Sequence, residues 1–223
     1  MNWYLIFGIC GIIGPCLCMV GDLLLDLKGP DNRKLGKYGI MDSAWDDMEV
    51  SRFRHSITAA GIGAPLAILG FVAMAHELAR THPTYAAVYF IIAVLGGGGG
   101  FFIHAFICLL PIVYKKIQPD HGFDYAESVI NTLYESVKLP FWVLYMLLVV
   151  IPCFMVIAAL ALGYLNLSRW FILLTLPPLM LLGGVLQKLF PRACCDLPMV
   201  ITPSLSLAFV GLMAVLNMLS YPI

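Results

Sequence analysis

Residues 85–113 read YAAVYFIIAVLGGGGGFFIHAFICLLPIV, from Tyr85 to Val113, and hold no Asp, Glu, Lys or Arg. The hydrocarbon core of a bilayer is about 30 Å thick and a helix rises about 1.5 Å per residue, so roughly 20 apolar residues span it. This stretch exceeds that length and predicts a membrane-crossing helix. Five similar apolar runs lie outward from it, at about 3–25, 56–79, 139–163, 170–189 and 199–220. Composition agrees: 61% of the 223 residues are hydrophobic and only 12% are charged, against about 25% charged in soluble domains. The expected fold is therefore all-α, a polytopic membrane protein with a six-helix transmembrane bundle and cytoplasmic amphipathic helices. The whole chain, 1–223, reads as one transmembrane domain. The bilayer is its first partner.

Alternating spans assign the connecting segments to sides. One side receives Lys28, Arg33, Lys34, Lys37, Arg52, Arg54, Lys115, Lys116, Lys138, Lys188 and Arg192; the other receives Arg80 and Arg169. Basic residues gather on the cytoplasmic side. Segments 26–55 and 114–138 are thus expected to be cytoplasmic, with both termini outside, and the plasma membrane is the expected location. Within the first segment, Ser43-Ala44-Trp45-Asp46 reads as a capped helix start. In the second, Ala126, Ile130, Leu133 and Val137 share one helical face and Glu127, Asn131, Glu135 and Lys138 another, which predicts an amphipathic helix on the membrane or over the bundle.

Chemistry-bearing residues concentrate in the first half. Gly11, Pro15, Cys18, Asp22 and Asp26 recur at helical spacing, which puts small and acidic residues on one face turned into the bundle. Two acids one turn apart at a helix C-terminus repel each other and oppose the helix dipole. That pair calls for a partner: Arg52, Arg54 or His55, a metal, or a shared proton. Trp45, Glu49, Arg52 and Ser56 form a second face, equally readable as a membrane anchor. His104 lies about 12 Å below the cytoplasmic surface by helical rise, among Gly97, Gly100, Cys108 and Pro111. An ionisable residue at such depth is a functional candidate, with a cross-helix structural bond as its rival.

The five glycines Gly96 to Gly100 read as a close helix approach or a kink, since no Lys-Ser/Thr follows to make a phosphate loop. The seven cysteines show no metal-finger spacing and read as reduced packing residues. Vicinal Cys194 and Cys195 beside Arg192 are an S-palmitoylation candidate or plain interfacial cysteines. Asp22, Asp26, Glu49, His55, His104, Glu127 and Glu135 would have to converge through the fold to make an oxygen-rich metal site, so a metal cofactor has weak support. Nucleotide loops and dinucleotide fingerprints are absent from the sequence, and nucleic acid is not expected as a partner.

Gly11 to Gly14, Gly21 to Leu25, Trp45 to Met48, Arg52 to Ser56 and the stretch from Gly61 to Gly70 resemble an uncharacterised family of small six-span bacterial membrane proteins. The resemblance covers roughly the first 75 residues and implies a shared helical body without an activity.

A transporter places polar sites near the midplane with access from both sides, whereas here all acids but Glu77 join the basic residues toward one side. The leading expectation is a membrane-embedded enzyme or binding protein for an amphipathic, lipid-like small molecule. Asp22, Asp26, Glu49, His55 and His104 are the catalytic candidates. Trp45, Arg52, Arg54, Glu127, Asn131 and Glu135 are the ligand-binding candidates. A transporter or channel, in a possible homo-oligomer, is the alternative. A structural or sensory membrane protein is the third reading.

Overall fold

The computed structural model describes residues 2–220. Its helices in chain order are α1 (Trp3–Asp26), α2 (Val50–Ala79), α3 (Pro83–His121), α4 (Phe123–Tyr145), α5 (Ile151–Leu162), α6 (Leu176–Leu189), α7 (Pro191–Cys194) and α8 (Leu197–Leu219). A two-stranded antiparallel hairpin, β1 (Lys34–Leu35) with β2 (Met41–Asp42), lies between α1 and α2. Helix starts follow local chemistry. Asn2 caps α1 by accepting the amides of Tyr4 and Leu5, and proline stands in the first turn of α3, α6, α7 and α8, where its missing N–H costs nothing.

Four helical stretches of 23 to 39 residues and a fifth of 40 residues, 123–162, are long and apolar enough to cross a membrane. The expected fifth run behaves differently. Only Leu176–Leu189 is α-helical there, and Arg169–Leu174 forms a tighter 3-10 turn before it; Pro177 and Pro178 fall in the first turn of α6, where proline is favoured and marks a start. The expected separate amphipathic helix at 123–138 is also corrected. It is the first part of one rod in which α4 passes through a π-helical turn, Met146–Val150, into α5. Pro140 lies inside α4 and does not break it. α3 likewise runs on to His121 and not to 113, and Gly122, at φ +81, makes the reversal into α4.

α1 runs antiparallel to α2 and α8, α2 to α3, and α3 to the α4–α5 rod, as glycine contacts show. Cβ atoms built on Gly8, Gly11 and Gly14 would reach Val215, Gly70 and Ala67, so α1 is gripped by α2 and α8. On Gly96 a Cβ would sit 2.3 Å from the Leu147 backbone. The glycine run is thus the close helix approach expected of it, made against the π-helical turn.

Two apolar cores result. One fills the Arg80 end of the bundle, from Phe71, Met74, Leu78, Tyr89, Val156, Leu160 and Met213. The other lies at the Asp26 end, where Leu25, Met41, Trp45, Phe53, Tyr114 and Ile130 close the segment 27–49 onto the projecting ends of α3 and α4. Between them the core is interrupted.

A candidate amphiphile site between the two cores

The interruption is a cavity of about 370 Å³ walled by α1, α2, α3, α4 and α8. Most of its wall is apolar: Ala60, Ala64 and Ala67 of α2, Ile103 and Ile107 of α3, Phe141 and Leu148 from the α4–α5 rod, and Leu207 of α8. Small residues make the space, because Ala and Gly at these levels leave room that larger side chains would fill. α4 and α8 face each other across the cavity without a packed seam between them.

Polar groups converge at one place in this wall. Asp22 Oδ1 lies 3.3 Å from His104 Nδ1, and the Ser204 hydroxyl donates to Asp22 Oδ2 at 2.6 Å. On the far side of the imidazole, His104 Nε2 lies 2.8 Å from Ser56 Oγ, which is also 2.7 Å from the Gly21 carbonyl and 3.2 Å from Cys108 Sγ. The order Asp22, His104, Ser56 matches an acid, base and hydroxyl relay, yet Ser56 is fully buried and does not line the cavity. Its hydroxyl positions the ring and is no nucleophile. Two protonation states fit these contacts: with Ser56 donating to Gly21 both ring nitrogens of an imidazolium donate, and with Ser56 donating to Nε2 only Nδ1 of a neutral imidazole does. Such a network can take up or release a proton at His104 without moving a heavy atom.

The remaining candidates have other employment. Asp26 lines the mouth of the cavity and is paired with Lys28 at 2.6 Å. Arg52 caps the C-terminus of α1: Nε donates to the Leu24 carbonyl, and one terminal nitrogen donates to those of Leu23 at 3.1 Å and Leu27 at 2.6 Å, so it is committed to carbonyls and not to an anion. The helix expected from Ser43 is a 3-10 turn ending at Asp46, and α2 starts only at Val50. Trp45, Glu49 and Arg52 therefore share no helical face. Trp45 is buried against Tyr114. Glu49 is exposed and accepts from Ser51; Arg54 and His55 are exposed as well. Glu127 accepts the Lys37 amide at 2.6 Å and the Asn131 side chain at 3.4 Å, and Glu135 accepts from the Tyr38 hydroxyl. Glu127 and Glu135 hold the hairpin onto α4, and Asn131 supports Glu127. Among the described residues no group of three or more His, Cys, Asp and Glu is placed to hold a metal, so the seven residues that might have converged on one do not.

Outside the cavity, Lys28 and Asp42 form a buried pair at 2.7 Å. Burial alone would lower the Lys28 pKa, but Asp26 and Asp42 hold it above its ordinary value. Burial would likewise raise Asp42, which Asn32, Lys28 and Lys34 hold below the usual carboxylate range.

Sequence reasoning missed two things. Ser204 carried a signal, since Thr202, Ser204 and Ser206 are hydroxyls in an otherwise apolar run. Glu77 is fully buried and accepts from Asn217 at 2.7 Å, beside His76 at 3.0 Å and Arg80 at 3.4 Å. Its seven-residue spacing from Gly63 and Gly70 put it on the inward stripe of α2.

Together these features define a helical bundle long and apolar enough to sit in a membrane, with one polar pair in the wall of an apolar internal cavity. The chain belongs to DUF6796, a family of unknown function, whose model matches residues 1–221. No curated protein matches the chain, and no solved structure does.

Proposed function

We propose that the protein takes an amphipathic, lipid-like small molecule from the bilayer into the cavity, with the polar head at Asp22 and His104 and the chain along the apolar walls. The observation that carries this reading is the Asp22–His104 pair at 3.3 Å in a cavity walled mostly by apolar side chains. The volume falls in the range of small-molecule pockets, roughly 300–1,000 Å³. The unpacked face between α4 and α8 supports lateral access, which suits a molecule dissolved in lipid. Asp22 and His104 are the acid–base pair offered to the head, and Ser56 and Ser204 position them.

The topology belongs to the same proposal. α5 ends beside Thr81 and Asn217, since Thr81 donates to the Tyr164 carbonyl and the Asn166 amide to Asn217, while α8 begins at the Asp26 end, where Ser204 meets Asp22. Residues 163–197 must therefore return from one end to the other, and the 3-10 turn with α6 makes a sixth crossing. With eleven of the thirteen basic residues toward the Asp26 end, that end is cytoplasmic in a bacterial plasma membrane and both termini are outside.

The test is paired. Wild type purified with its membrane lipids should release a bound amphiphile detectable by mass spectrometry, and membrane-lipid extract should raise the melting temperature of the stripped protein. Ala64→Leu, which fills the cavity, should melt no earlier and lose that response. His104→Ala should lose it too; early melting with a retained response would make the pair a brace and end the functional reading.

A further inference from the structure

The cavity's polar inventory is one-sided. Asp22 and Asp26 contribute two carboxylates, and His104, Ser204 and Tyr145 complete the polar wall, while no Lys or Arg lines it. Lys28 meets Asp26 but is also bound to Asp42 outside the cavity, and its side chain is only 8% exposed. The Arg52 guanidinium is held by the α1 carbonyls. A buried anion needs a cation or a set of donors aimed at it. Here a phosphate or carboxylate head would face two carboxylates whose partners His104 and Lys28 are already engaged, so neither is left to neutralise it.

A quaternary ammonium head meets the opposite difficulty. Both carboxylates already have partners, Asp22 in His104 and Ser204 and Asp26 in Lys28. Burying a further cation would break those pairs or leave it uncompensated. Yet each carboxylate oxygen has two acceptor positions, and the contacts with His104 and Ser204 occupy one on each Asp22 oxygen. The spare acceptors suit a neutral donor.

We propose that the ligand is a long-chain amphiphile whose head is an uncharged hydrogen-bond donor, a hydroxyl in its simplest form, accepted by Asp22, and that anionic lipids are excluded. This rests on the cavity being an amphiphile site. The carboxylate acts as the specificity-determining group, and the apolar walls recognise only the chain.

Four amphiphiles with the same twelve-carbon chain test it: dodecanol, laurate, dodecyl phosphate and dodecyltrimethylammonium, added at equal mole fraction to the protein in phosphatidylcholine nanodiscs at pH 8. Dodecanol is expected to raise the melting temperature by about 3 °C or more, and the three charged amphiphiles by less than about 1 °C. Asp22→Asn removes the negative charge and keeps an acceptor, so it should retain the dodecanol shift and gain one with laurate. Ala64→Leu should abolish the dodecanol shift, which places binding in the cavity. A laurate, phosphate or ammonium shift equal to that of dodecanol in wild type overturns the head assignment while leaving an amphiphile site. A dodecanol shift that survives Ala64→Leu also overturns it. Should none of the four act on wild type, the site and the head assignment fall together.

Discussion

Lys28 and Asp42 carry opposite charges into a place with almost no water: their side chains are 8% and 1% exposed. Each holds the other ionised, and the pH dependence follows in sign. Asp42, held below its ordinary value near 3.8, contributes stability that is complete above that value and is lost as pH falls through the lower folded value. Lys28, held above 10.5, contributes stability that is complete below 10.5 and is lost as pH rises through the higher folded value. Asp42→Asn should destabilise the protein by about 3 kcal/mol, since it removes one partner of a buried pair. Thermal melting at pH 7 checks this, and an unchanged melting temperature would refute it. At this scale the sequence announced the important pair but not its surroundings. Asp22 and His104 stood out because an ionisable side chain on a glycine-rich stripe has to face a neighbour. Glu49 was expected with them and is exposed instead, because it precedes the first turn of α2 and so has no helical face at all. Ser204, in a run with Thr202 and Ser206, and Ser56 could be seen in the sequence, but a hydroxyl costs too little in an apolar run to name its partner.

Helix pairing is set by absences of side chain. A methyl group on Gly11 would fall 2.3 Å from the Gly70 Cα and 3.4 Å from that of Gly211, so α1, α2 and α8 meet backbone to backbone, as small residues permit in membranes. Gly98 has nothing within 4 Å of its hypothetical Cβ. Gly11→Ala should therefore cost about 1–3 kcal/mol through overpacking, whereas Gly98→Ala should be neutral or stabilising by up to about 1 kcal/mol through helix propensity. Detergent-solubilised melting curves for both variants decide the matter; equal effects would contradict the packing described. The glycine run was legible as a close approach, but its partner was not, because contact between distant segments leaves no local mark. Element boundaries were hidden for a similar reason. Residues 123–138 are amphipathic and 139–162 apolar, and that change of solvent looks like the end of a helix although the backbone continues through it.

Across the whole molecule, the distribution of charge makes a prediction about orientation. Arg33→Cys and Ser168→Cys place exposed thiols at opposite ends. With intact cells, an impermeant thiol reagent should label Ser168→Cys above the wild-type background and leave Arg33→Cys unlabelled; the reverse pattern would invert the topology. Six apolar runs were readable from composition, but the fifth resisted because its regular helix is only Leu176–Leu189, with Pro177 and Pro178 marking the start. The cavity was invisible in sequence, because it is enclosed by residues far apart along the chain, from Leu25 of one core to Val149 and Leu207 of the other. One feature couples those cores. The π-helical turn at Met146–Val150 carries one residue more than an α-turn would, and a residue corresponds to about 100° of rotation. Upstream, buried positions fall at Ala126, Ile130 and Phe141; downstream, at Val149, Cys153, Val156 and Leu160. The extra residue acts as a phase correction between two gears on one shaft. Without it, the end of the rod that closes over the hairpin and the end that packs in the bundle could not both face inward, and Tyr145, which stands at the joint, would rotate off the cavity wall.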